Sequence, residues 1–118
     1  MLGIVARCVR VAANAGMPLE VCGEAASDPV TAPLLVGLGV DELSVGAARV
    51  GTLRAWVRAL GYADMRALAA RALRCPGPGE VAALLEPLAE RLRVLELGDA
   101  QREGVDGAGG VVAVGSNP

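Results

Sequence analysis

Residues 19–45 read LEVCGEAASDPVTAPLLVGLGVDELSV, and the punctuation of this stretch decides the fold class. Leu19 to Cys22 is too short and too alternating for a helix and is bounded by Pro18 and Gly23. It therefore reads as a brief strand with Cys22 at its C-terminal end. Ser27-Asp28-Pro29 offers an N-cap and then a proline whose missing N–H costs nothing in a first turn, which opens a helix through Leu34, Leu35 and Leu38. Pro33 keeps that helix short or shifts its start, and Gly39 closes it. Asp41 and Glu42 read as turn residues before a second strand, Leu43-Ser44-Val45.

Working outward, Ile4, Val5, Cys8, Val9 and Ala12 recur at helical spacing while Arg7, Arg10 and Asn14 fall on another face. Behind the second strand, Leu53, Trp56, Val57 and Leu60 mark a further helix. The order helix, strand, helix, strand, helix predicts a parallel βα arrangement with right-handed crossovers. A helix over 63–74 follows, with Met65, Leu68, Ala69, Ala72 and Leu73 on one face. After the Cys75-Pro76-Gly77-Pro78-Gly79 break comes another, in which Val81, Leu85, Leu88, Leu92 and Leu95 form a seam for docking on another helix or a partner chain. Pro87 lies inside it; a proline in a helix interior costs about 3 kcal/mol, so a kink or break is expected there. From Gly98 the sequence turns glycine-rich, and Val111 to Val114 is too small an apolar cluster to order it. The expected organisation is a folded unit over 1–97 and a disordered tail over 98–118.

Composition bounds what such a unit can do. The 118 residues are 53% hydrophobic with one Trp, one Tyr and no Phe, so the core must be aliphatic. Net charge is −2, and the arginines are scattered among acids, which argues against a nucleic-acid surface. The apolar run from Pro29 to Val40 is too short for a membrane span and is broken by Pro33, Gly37 and Gly39. Met1 to Arg7 does not read as a secretory signal, which makes a cytoplasmic protein the default. Three cysteines, Cys8, Cys22 and Cys75, have no metal-ligand spacing and suit reduced thiols. The absence of histidine removes the commonest general base and metal ligand.

The residue that invites chemistry is Cys22, at a strand end and followed by Gly23, which permits close approach of backbone or ligand. A lone cysteine is nevertheless more often a small buried apolar residue. Glu24 can orient a neighbour or form a charge pair, although a solvated loop carboxylate is the plainer reading. Gly37-Leu38-Gly39 sits at a helix end, the wrong place for a phosphate loop.

Val21-Cys22-Gly23-Glu24-Ala25-Ala26-Ser27-Asp28-Pro29, continued by Ala32-Pro33-Leu34-Leu35-Val36-Gly37-Leu38-Gly39-Val40-Asp41-Glu42-Leu43-Ser44-Val45, resembles the closing segment of Enzyme I, the phosphoenolpyruvate-protein phosphotransferase of the sugar phosphotransferase system. The resemblance runs without gaps from the first helix to about Arg91. Pyruvate phosphate dikinase, phosphoenolpyruvate synthase and the fused multiphosphoryl transfer proteins share part of the pattern. The two helices after Tyr62 favour Enzyme I or a multiphosphoryl transfer protein.

The resemblance implies the C-terminal part of a (β/α)8 TIM barrel, here an α/β chain of two short parallel strands and about five helices, not closed into a barrel. It also implies binding of phosphoenolpyruvate and Mg²⁺, transfer of phosphate to a histidine of a separate domain, release of pyruvate, onward transfer to the histidine-containing phosphocarrier protein, and a homodimer. Cys22 then corresponds to the proton donor that converts the enolate to pyruvate, with Gly23 and Glu24 near the substrate. A thiol suits that role because a free one ionises near pH 8.5 or so and stays mostly protonated at neutrality. By the same resemblance, the Mg²⁺ carboxylates, substrate-binding arginines and phosphorylated histidine belong to parts upstream of this chain, so the chain alone is expected to be inactive. Gly51-Thr52 stands where Enzyme I usually has Pro-Arg at the start of the last barrel helix. The rival reading is a non-catalytic interaction module whose working surface is the C-terminal leucine seam.

Overall fold

Three residues of one strand and four of the next set the frame. β1, Glu20–Cys22, runs parallel to β2, Glu42–Val45, with Glu20 opposite Glu42, Val21 opposite Leu43 and Cys22 opposite Ser44. The computed structural model describes residues 1–99 and 110–114. Ahead of β1 lies α1, Leu2–Asn14; between the strands lie α2, Glu24–Ser27, and α3, Thr31–Leu38. Behind β2 come α4, Ala47–Leu60, α5, Tyr62–Leu73, α6, Pro78–Asp99, and β3, Gly110–Ala113, which pairs antiparallel with the far edge of β2. The chain is α/β, mostly helical, with a small open sheet in the order β1-β2-β3.

The sequence between the strands does more than expected. A four-residue helix, α2, follows Cys22 directly, and the second helix starts later, at Thr31. Asp28 still acts as a cap: its Oδ2 accepts the backbone N–H of Thr31 at 2.7 Å and of Val30 at 3.1 Å. Pro33 falls in the first turn of α3, where it is tolerated, and Gly39 ends the helix at φ 101°, a left-handed conformation. Asp41 is not merely a turn residue. Its Oδ2 accepts the Leu19 N–H at 2.8 Å while its own N–H donates to the Leu19 carbonyl at 3.0 Å, clamping the entrance of β1 to that of β2. Glu42, also expected in the turn, is the first residue of β2.

One face of the sheet is covered. Leu43 and Val45 of β2, with Val112 and Val114 of the tail, point into a cluster with Val36, Leu53, Trp56 and Leu92. A second cluster joins Leu34 of α3, Ala69 and Ala72 of α5, and Leu85 of α6. Between them α3 and α5 approach closely at Gly37, where a Cβ would fall 2.1 Å from the Met65 carbonyl oxygen. The Gly-Leu-Gly element is thus a packing and capping device.

The structure bears on four of these expectations. Gly110–Ala113, assigned to a disordered tail, forms β3: every second residue, Val112 and Val114, is buried, and β2 supplies the backbone partners, so ordering is offset by burial and hydrogen bonding. α6 likewise continues past 97 to Asp99, while residues 100–109 and 115–118 of the expected tail lie outside the described residues. Of the kink or break expected at Pro87, the break is absent: α6 is continuous there, and Pro87 and Ala83, whose carbonyl loses its donor, are both exposed, so water can replace the bond. Leu85 and Leu92 of the seam are fully buried in the chain's own two clusters, so of the two expected uses of the seam, docking on another helix or on a partner chain, these two residues serve the first. On α1 only Leu2, Val5 and Val9 pack against the clusters; Ile4 is 68% exposed and Cys8 is also exposed.

Candidate functional site

Cys22 ends β1, and the chain then turns sharply. Gly23 holds φ 90° and ψ −164°, a region in which an L side chain is strained, so the turn into α2 belongs to glycine at this position. Side chains alternate along a strand. Val21 therefore faces the helices, while Glu20 and Cys22 face the other way and are exposed. The register sets Ser44 beside Cys22 on this uncovered face, with Glu42 beside Glu20. Glu24 is exposed in the first turn of α2. Cys22 lies at the strand end that the sequence predicts, while Glu24, read as a loop residue, opens α2, and among the described residues no second titratable group makes a hydrogen bond to the thiol.

A cluster the sequence reading missed lies behind this turn. Arg49, in the first turn of α4, reaches back so that Nη2 donates to the Ser27 carbonyl at 3.1 Å, at the end of α2. Its Nη1 donates to the Glu96 carboxylate on α6, and the guanidinium lies 5.7 Å from the centroid of the Trp56 ring. One side chain therefore ties α2, α4 and α6 together. A signal was available: a cation in the first turn sits at the unfavourable end of the helix dipole and calls for specific partners. Trp56 itself is buried, and its indole N–H meets no acceptor among the described residues. Gly51 and Thr52 lie inside α4, whose start is set by Gly46 and Ala47.

No group of three or more acidic or cysteine side chains converges among the described residues. Two open clefts, of about 460 and 380 Å³, lie between α1, α3 and the α5–α6 junction and between α5 and α6, both away from Cys22. No described helix is long and apolar enough to cross a membrane.

The family model for the PEP-utilising enzyme, PEP-binding domain, matches residues 1–62, the portion that contains β1, Cys22 and β2. The chain belongs to the PEP-utilising enzymes. A phosphoenolpyruvate-protein phosphotransferase of Staphylococcus carnosus is 35% identical over 86 residues, 73% of this chain and 15% of the relative. A multiphosphoryl transfer protein of Rhodobacter capsulatus is 42% identical over 84 residues, 71% of this chain and 10% of the relative. A phosphoenolpyruvate-protein phosphotransferase of Haloferax volcanii is 48% identical over 64 residues, 54% of this chain and 11% of the relative. No solved structure matches. This PEP-utilising chain accordingly spans 15% or less of the length of each of these relatives.

Proposed function

We propose that the chain is the closing part of the catalytic (β/α)8 barrel of a phosphoenolpyruvate-protein phosphotransferase, of the Enzyme I or multiphosphoryl transfer type, and that Cys22 is its proton donor. The observation that carries the reading is the position of Cys22: exposed, at the C-terminal end of a parallel strand, on the face no helix covers, inside the segment that matches the family. In a βα barrel that face becomes the interior and that end carries the reacting groups.

On this reading phosphoenolpyruvate loses its phosphoryl group to a histidine on another part of the enzyme, since this chain has none. The enolate of pyruvate remains. Its methylene carbon takes the proton of the Cys22 thiol: the S–H bond breaks, a C–H bond forms, and the thiolate is reprotonated by solvent. Gly23 keeps space beside the thiol free of a side chain, and the Arg49 contact to the Ser27 carbonyl fixes the helix that follows. Glu24 stands near the substrate. Mg²⁺ would be held by residues outside this chain, and no step here depends on it. The phosphoryl group then passes to the histidine-containing phosphocarrier protein, in a cytoplasmic homodimer; apolar Ile4, Val11 and Met17, left exposed on and after α1, support association. The alternative of a non-catalytic module has less support, because Leu85 and Leu92 of its docking seam are buried within the chain.

The test places Cys22→Ala, Cys8→Ala and Cys75→Ala in a full-length enzyme carrying this segment and follows stereospecific proton incorporation at the methyl carbon of pyruvate. Cys22→Ala should still pass phosphate to the histidine but release pyruvate slowly or with scrambled stereochemistry, and the other two should behave as wild type. Unchanged rate and stereospecificity in Cys22→Ala would refute the assignment.

A further inference from the structure

We propose that the outer edge of β2 is a strand-exchange surface, and that its occupant here, β3, is a detachable strand of the chain's own C-terminal segment, standing where a neighbouring strand of the larger domain would pair. The inference rests on the barrel reading above. The Glu42 N–H donates to the Leu19 carbonyl at 3.2 Å, so alternation of amide directions points the Leu43 and Val45 N–H groups toward the opposite edge. There the register sets Val112 against Leu43 and Gly110 against Val45, and the Val114 N–H donates to the Asp41 carbonyl at 2.7 Å.

Three features mark β3 as a stand-in. It runs antiparallel, whereas the strands of a βα barrel are all parallel, so β3 and a neighbouring barrel strand cannot hold the edge together. It lies beyond residue 62, where the family match ends. Only Val112 and Val114 anchor it in the core, at 5% and 6% exposure, while Val111 is 50% exposed.

The test uses the full chain. Val112→Asp places a carboxylate in the apolar cluster and should release β3, while Val111→Asp alters only its exposed face and is the control. Amide exchange at Leu43 and Val45 should rise about tenfold or more in Val112→Asp, with the α3 and α4 amides still protected. A fluorescent synthetic peptide of residues 108–116 should bind Val112→Asp and bind wild type about tenfold or more weakly, because in wild type it competes with a tethered copy of itself. Equal binding to both, or unchanged protection at Leu43 and Val45, would overturn the proposal. Should Val112→Asp fail to fold, Val112→Ala decides: faster exchange confined to Leu43 and Val45 supports a detachable strand, and faster exchange throughout makes β3 an integral core element and refutes it. None of these readouts involves phosphoenolpyruvate, so a failed Cys22 test leaves them interpretable.

Discussion

Replacing Gly37 by alanine sets helix propensity against packing and asks which wins. A Cβ at this position falls 2.1 Å from the Met65 carbonyl oxygen, 2.5 Å from its carbon and 3.0 Å from the Ala69 Cβ, where ordinary contact begins near 3.4 Å. The obstacle is backbone, so no rotamer change relieves it; α3 and α5 must part by about 1 Å, which loosens Leu34 and Ala69 in the second cluster. Overpacking of this kind costs about 1–3 kcal/mol or more. Alanine returns about 1 kcal/mol of helix propensity. A Cβ only 2.1 Å from backbone belongs at the upper end of that range, so the net expectation is a loss of about 2 kcal/mol, which for a domain of this size lowers the melting temperature by roughly 4–8 °C for each kcal/mol. Gly3→Ala is the matched control, since α1 has nothing within 4 Å of that Cβ, and it should be neutral or stabilising by up to about 1 kcal/mol. Urea titrations followed by far-ultraviolet circular dichroism compare the midpoints at constant slope. A midpoint for Gly37→Ala equal to or above wild type would show that the α3–α5 approach is not as described.

Two further substitutions separate internal from external roles. Leu92→Ala should cost about 2–5 kcal/mol, because Leu92 is fully buried, whereas Leu95→Ala, at 38% exposure, should stay within about 1 kcal/mol; comparable losses in thermal melts would restore the seam as an outward-facing surface. Glu96→Gln should cost less than about 1 kcal/mol, since the Arg49 and Glu96 side chains are 40% and 26% exposed and water screens the pair. Arg49→Met should cost more than Glu96→Gln, because it also strips the Ser27 carbonyl and the Trp56 ring of their partner, and equal losses would deny those two contacts any weight.

What the sequence made legible follows physical range. Strand ends, the Gly39 cap and the buried faces of α4 and α5 rest on local periodicity and on glycine and proline, so residues 19–73 were readable nearly element by element. The position of Cys22 at a strand end was legible because Pro18 and Gly23 bound a run too short for a helix. The continuity of α6 at Pro87 was not legible, because whether water can reach the carbonyl freed at Ala83 depends on exposure, which is a tertiary property. β3 was illegible for a similar reason: a short segment with two buried valines, Val112 within it and Val114 just after it, orders only when a strand edge distant in sequence is waiting for it. The Arg49 cluster joins residues 47 positions apart, and no local pattern pairs them.

The separation of β2 from β3 has a consequence in the order of synthesis. Val45 leaves the ribosome about 65 positions ahead of Gly110, its partner in the sheet. At roughly 5–20 residues per second, the edge of β2 stands bare for roughly 3–13 s before its own strand can reach it. Any strand made earlier in a longer polypeptide has that interval in which to pair first. On the strand-exchange proposal above, closure by β3 is the outcome when no competitor has arrived, and the arrangement adopted by the sheet then depends on timing as well as on affinity.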